Sequence, residues 1–68
     1  MDYKKKCRAI IKWSNDDDWA VDNFDNKVVK SIYKTLLKGN ILSNKQEIAI
    51  NNIFEKFEID DYYISDDD

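Results

Sequence analysis

The chain has no histidine, no proline, one glycine and one cysteine in 68 residues. Without histidine, the commonest general base near neutral pH is missing. The lone cysteine, Cys7, excludes an internal disulfide, and a single thiolate with no imidazole beside it makes a poor zinc site. The lone glycine, Gly39, leaves no glycine-rich phosphate loop, and no G-K-[ST] motif occurs. No apolar run approaches the roughly 18 residues that a membrane span requires. The basic start, Met1-Asp2-Tyr3-Lys4-Lys5-Lys6, is followed only by short apolar pieces, unlike a signal peptide. With its single free thiol, the chain reads as cytoplasmic. The expectation is a protein that is not an enzyme, with no catalytic residue, cofactor or metal.

What is present suits one small folded domain. Apolar residues make up 43% of the chain, enough for a thin core and too many for global disorder. Net stability at this length is expected to be about 3–10 kcal/mol, drawn from close helix packing or from oligomerisation.

The clearest punctuation lies between Lys38 and Gln46. Gly39 can adopt the left-handed conformation that closes a helix. Ser43 and Gln46 have the spacing of a capping box that opens the next one. Upstream, Phe24, Val28, Ile32 and Leu36 recur every fourth residue, with Val29, Tyr33 and Leu37 widening the stripe. Downstream, Ala49, Ile50, Ile53, Phe54 and Phe57 share a side, while Ile48 points away from it. Near the start, Tyr3, Cys7, Ile10 and Ile11 have helical spacing, although alternation through Cys7, Ala9, Ile11 and Trp13 leaves a strand open. Cys7 falls on the core face, so a structural thiol is expected.

The expected fold is therefore all-α. It comprises three helices at 3–13, 23–38 and 44–58, the second and third forming an antiparallel hairpin. The domain spans 1–59, and 60–68 forms a disordered acidic tail. The expected core includes Ile10, Phe24, Val28, Ile32, Leu36, Ile50, Ile53 and Phe57. Ser14 to Asp18 reads as a loop. Its aspartates lack the spacing and glycine of a calcium site. Trp19 either folds back on the core or anchors a partner.

Charge is segregated along the chain. Residues 1–38 hold nine of the eleven basic residues. Lys27, Lys30, Lys34 and Lys38 are spaced to line one ridge of the second helix, opposite Val28, Ile32 and Leu36. Lys5, Arg8 and Lys12, with Lys4 and Lys6, make the first helix basic. This surface suits a protein partner, or a nucleic-acid backbone bound without sequence preference. The tail carries Asp60, Asp61, Asp66, Asp67 and Asp68 around Tyr62, Tyr63 and Ile64. It offers a competitor for the lysine ridge, or a mimic of a nucleic-acid strand with the two tyrosines in place of bases. A solvated helix face and a solubilising terminus are the plain alternatives.

The run Trp19, Phe24, Gly39, Leu42, Ser43, Lys45, Gln46, Ile53, Lys56, preceded by Cys7 to Trp13, resembles small, often phage-encoded helical proteins and appendages. The resemblance implies a three-helix unit and a phage setting, and it carries over no catalytic residue. Together these features suggest a non-enzymatic protein-binding accessory, regulator or inhibitor acting on host or phage nucleic-acid machinery. The alternatives are direct nucleic-acid binding through the lysine ridge, with the tail competing, and a structural or homodimerising element with Ile48 or Trp19 at the contact.

Overall fold

A computed structural model describes residues 3–59 and 63–64. They are all-α, with helices α1 (Tyr3–Asp16), α2 (Asp18–Asn23), α3 (Lys27–Leu37) and α4 (Asn44–Lys56), and no strand occurs among the described residues. The strand alternative for the first segment is thereby settled in favour of a helix.

α1 forms because Cys7, Ile10, Trp13 and Ser14 recur on one side and are all buried. It runs past the expected end at residue 13, through residues read as loop. Only Asp17 interrupts the chain before α2. The Asp17 N–H closes α1 on the Trp13 carbonyl at 2.9 Å. Its carboxylate then accepts from the Ala20 N–H at 3.0 Å and so N-caps α2. The aspartate run is thus a helix-to-helix joint, and the expected loop is corrected to a fourth, short helix.

α3 starts later than expected. Residues 24–26 are non-helical, and Phe24 closes α2 through its N–H on the Ala20 carbonyl at 2.9 Å. The Asp25 carboxylate accepts the Lys27 N–H at 3.0 Å. Asn26 holds the N-cap position but makes no capping bond. Its amide donates instead to the Ser14 hydroxyl at 2.8 Å, which itself donates to the Ile11 carbonyl at 2.7 Å. Ser14 is buried, so this pair ties the start of α3 to α1 without an unsatisfied polar group.

Both later joints follow local chemistry. At the end of α3, Gly39 has φ 84°. Its N–H reaches the Leu36 carbonyl at 3.0 Å and the Asn40 N–H reaches Thr35 at 3.2 Å, a Schellman closure. Ser43 and Gln46 form the full capping box of α4, at 3.2 and 2.9 Å. α4 closes in the same way as α3, except that Glu58 supplies the left-handed residue at φ 49°. Ile59 follows it into the core.

The core gathers Cys7, Ile10, Trp13, Ala20, Val29, Ile32, Leu42, Ile50 and Ile59. Phe24, Leu36, Ile53 and Phe57 pack around it, partly buried. Val28 is corrected: it is 61% exposed and Val29 is fully buried. Steps of four residues drift by about 40° round a helix, so the Val28–Ile32–Leu36 row turns away from a straight seam. Val29 sits nearer the centre of the face that α1 covers.

The extensive helix packing all involves α1, which touches α2, α3 and α4. The expected hairpin between the two later helices is corrected accordingly. Each packs chiefly on α1, and a groove lies between them. Leu42 explains the geometry, because its burial draws the connecting loop into the core and takes the start of α4 with it.

Candidate interaction surfaces

The lysine ridge is presented as one line. Lys27, Lys30, Lys34 and Lys38 are all exposed, on the side of α3 away from Val29 and Ile32. With a rise of 1.5 Å per residue the line is about 16 Å long. No acidic residue interrupts the chain between Asp25 and Glu47, so nothing on α3 neutralises the ridge from within. The field of one sign is therefore continuous over this helix.

The basic residues of α1 divide into two kinds. Lys4 and Lys12 are exposed, and Lys5 and Arg8 are half-buried. Lys6 is a packing residue. Its ammonium donates to the Asn51 side-chain oxygen at 2.5 Å. It lies 5.5 Å from the Tyr3 ring centre and 5.7 Å from that of Phe54. Asn51 also donates to the Tyr3 hydroxyl at 3.2 Å. This cluster fastens α1 to α4 and takes Lys6 out of any ligand-facing set.

A groove of about 310 Å³ runs between α3 and α4, lined by Val28, Ser31, Ile32, Lys45, Gln46 and Ala49. The apolar periodicity does not reveal it, because it places Val28 in the core, whereas Val28 is 61% exposed. The available signal was the acid-free stretch itself, which includes Lys45.

The aromatic residues form a second feature. Trp13 is the buried centre, with Phe24 at 5.1 Å and Phe57 at 5.2 Å between ring centres. Trp19 stacks on this group, 6.5 Å from Trp13 and 5.6 Å from Phe57, yet remains 53% exposed. One side of Trp19 rests on the core, as the first expectation has it, and the other side is exposed. Val21, Asp18 and Asp22 are exposed beside it on α2.

Of the expected tail surface, Asp60, Asp61, Tyr62, Asp66, Asp67 and Asp68 lie outside the described residues. Tyr63 is described, and it is not held out to solvent. It packs against the core cluster, and its hydroxyl donates to the Asp16 carboxylate at 2.8 Å. Cys7 is fully buried, so its thiol lacks the exposure that a nucleophile needs. No group of three or more potential metal ligands converges among the described residues. No described helix is long and apolar enough to cross a membrane.

The chain is a small all-α protein with a basic ridge and groove on α3–α4 and an acidic, tryptophan-bearing α2. Comparison with protein-family models, with curated proteins and with solved structures finds no match to this chain.

Proposed function

We propose that this chain is a non-enzymatic protein-binding module, an accessory or regulatory factor that engages a partner through the exposed side of α3. One observation carries the reading. Lys27, Lys30, Lys34 and Lys38 form an uninterrupted cationic line on a helix whose opposite side is fixed to the core. Such a surface is rigid and selects partners by charge, raising the rate of encounter with an acidic surface. Action on nucleic-acid machinery, in a phage setting and in the cytoplasm, is supported by the resemblance and composition described above.

The test is direct. The partner retained by the immobilised chain is identified by mass spectrometry and its binding remeasured with both proteins purified. Lys30→Glu with Lys34→Glu is expected to weaken that binding at least tenfold while leaving the helical circular-dichroism spectrum unchanged. Unchanged affinity in the double variant overturns the reading.

A second reading is favoured by the composition of the ridge, which has lysines but no arginine or aromatic residue. That set suits the phosphate backbone of a nucleic acid more than its bases. Four phosphate contacts would give log K a slope of about −3 to −4 against log salt. Removal of residues 60–68 would tighten binding if the tail competes for the ridge. Absence of binding to a mixed-sequence duplex at low salt overturns this reading.

A further inference from the structure

We propose that the α3–α4 groove of one copy receives the α2 knob of a second copy, so that the chain self-associates head to tail. The two surfaces are opposite in charge. Between Lys12 and Lys27 the chain contains no basic residue, and between Asp25 and Glu47 no acidic one. Folding places the first stretch on α2 and the second on α3 and the start of α4.

The groove has an apolar floor from Val28, Ile32 and Ala49. Lys27, Lys34 and Lys38 flank it on α3, lying next round the helix from Ser31. Lys45 rims it on α4, in line with Ala49 and Lys56 by helical spacing. The knob has the matching pattern. Ala20 is turned inward, Asp18 and Asp22 face outward, and Trp19 and Val21 flank them at 53% and 57% exposure. Trp19 is already stacked on Trp13 and Phe57. Little side-chain freedom remains to be lost when its outer side is covered, which is the property of an anchor residue.

The knob belongs in another copy's groove and not its own. Only Asp17 separates α2 from α1, and α2 packs on α1 while the groove is built from α3 and α4. The interface is heterologous, because groove and knob are different surfaces, so association extends as a chain or closes as a ring. The patch is small and its rim charges are exposed, which makes the contact transient and salt-sensitive. This contact does not require a foreign partner, and its test is independent of the ridge variants above.

Sedimentation equilibrium of the full chain tests it, over rising protein concentration at about 0.01 M and about 1 M salt, where the screening length falls from about 30 to about 3 Å. The expected result is a weight-average mass that climbs with concentration at low salt and returns to the monomer at high salt. Two variants with substitutions at exposed positions remove one surface each: Val28→Glu with Lys45→Glu, and Val21→Lys with Asp22→Lys. Each alone is expected to weaken association about tenfold or more. Mixed, they are expected to associate again, because one contributes an intact knob and the other an intact groove. A monomer under all conditions overturns the proposal, and so does association that survives in either variant alone or is indifferent to salt. A wild-type chain that stays monomeric yet binds a nucleic acid or a foreign acidic peptide at the groove would likewise overturn it.

Discussion

Replacing Glu58 by glycine is expected to stabilise the fold. α4 ends in a Schellman closure in which the Glu58 N–H reaches the Glu55 carbonyl at 3.1 Å and the Ile59 N–H reaches Phe54 at 3.2 Å. The geometry requires a left-handed residue, and Glu58 adopts it at φ 49°. For a residue with a Cβ this conformation costs about 1–2 kcal/mol. Glycine removes that cost but loses about 0.5–1 kcal/mol through its freer unfolded chain. The net gain is about 0.5–1 kcal/mol, or roughly 2–8 °C in Tm for a domain of this size. Glu58→Ala keeps the Cβ and is expected to change Tm little. Gly39→Ala is the mirror experiment. Gly39 has φ 84° with no heavy atom within 4 Å of an added Cβ, so only the backbone resists, and after the same unfolded-chain offset a net loss of about 0.5–1 kcal/mol follows. Thermal unfolding followed by circular dichroism at matched concentration reads all three. If Glu58→Gly melts no higher than Glu58→Ala, the left-handed turn at 58 is not a source of strain and the reasoning fails.

Three further outcomes test the packing. Val29→Ala is expected to cost about 2–3 kcal/mol in urea unfolding, from lost burial plus a residual cavity, whereas Val28→Ala should cost less than about 0.5 kcal/mol; equal losses would mean that α3 presents a different side to α1. The Cys7 thiol should stay unreactive toward a disulfide reagent in the native protein and react fully in urea, and rapid native labelling would contradict its complete burial. Asn26→Ala removes the bond to Ser14 and is expected to cost about 1 kcal/mol while the helical signal is preserved, so an unaffected melting curve would show that this tie between α1 and α3 contributes nothing.

The parts legible in the sequence are those decided within a few residues. Ser43 and Gln46 needed only each other to form a capping box, and Gly39 needed only the end of its own helix. The aspartate run shows where that approach stops. Asp16, Asp17 and Asp18 were read together as a loop because their side chains compete with helical bonding. One of them, Asp17, does so productively, by capping a new helix, and its neighbours remain helical. The choice between Val28 and Val29 is not local at all. Both belong to the apolar stripe of α3, and the position of α1 decides which is covered. The same holds for the hairpin, since a short connection makes helices neighbours in sequence but cannot say whether a third helix offers either a better surface. Trp13 went unremarked as a core centre for that reason: its partners Phe24 and Phe57 come from separate segments. The lysine ridge was legible because it lies on the far side of a helix whose buried face was nearly right, whereas the groove depended on the residue that was misplaced.

Because α1 is the shared support, α3 and α4 each pack chiefly on it, and a groove lies between them. A chain of this length buries only about 60% of the surface its unfolded form exposes, so some apolar residues must remain outside. Exposure alone therefore carries no functional argument. Ile41 is 91% exposed, more than any other large apolar residue described, yet it stands alone on a loop. Val28 is less exposed but lies on the floor of a groove, beside lysines that no acidic neighbour on α3 offsets. Trp19 is the converse case, an aromatic ring fixed from behind and surrounded by aspartates. The physical distinction between an incidental apolar residue and a contact surface here is the combination of a concave or rigid setting with charge of a single sign. On that criterion the described residues present two such surfaces of opposite charge, one on α2 and one between α3 and α4.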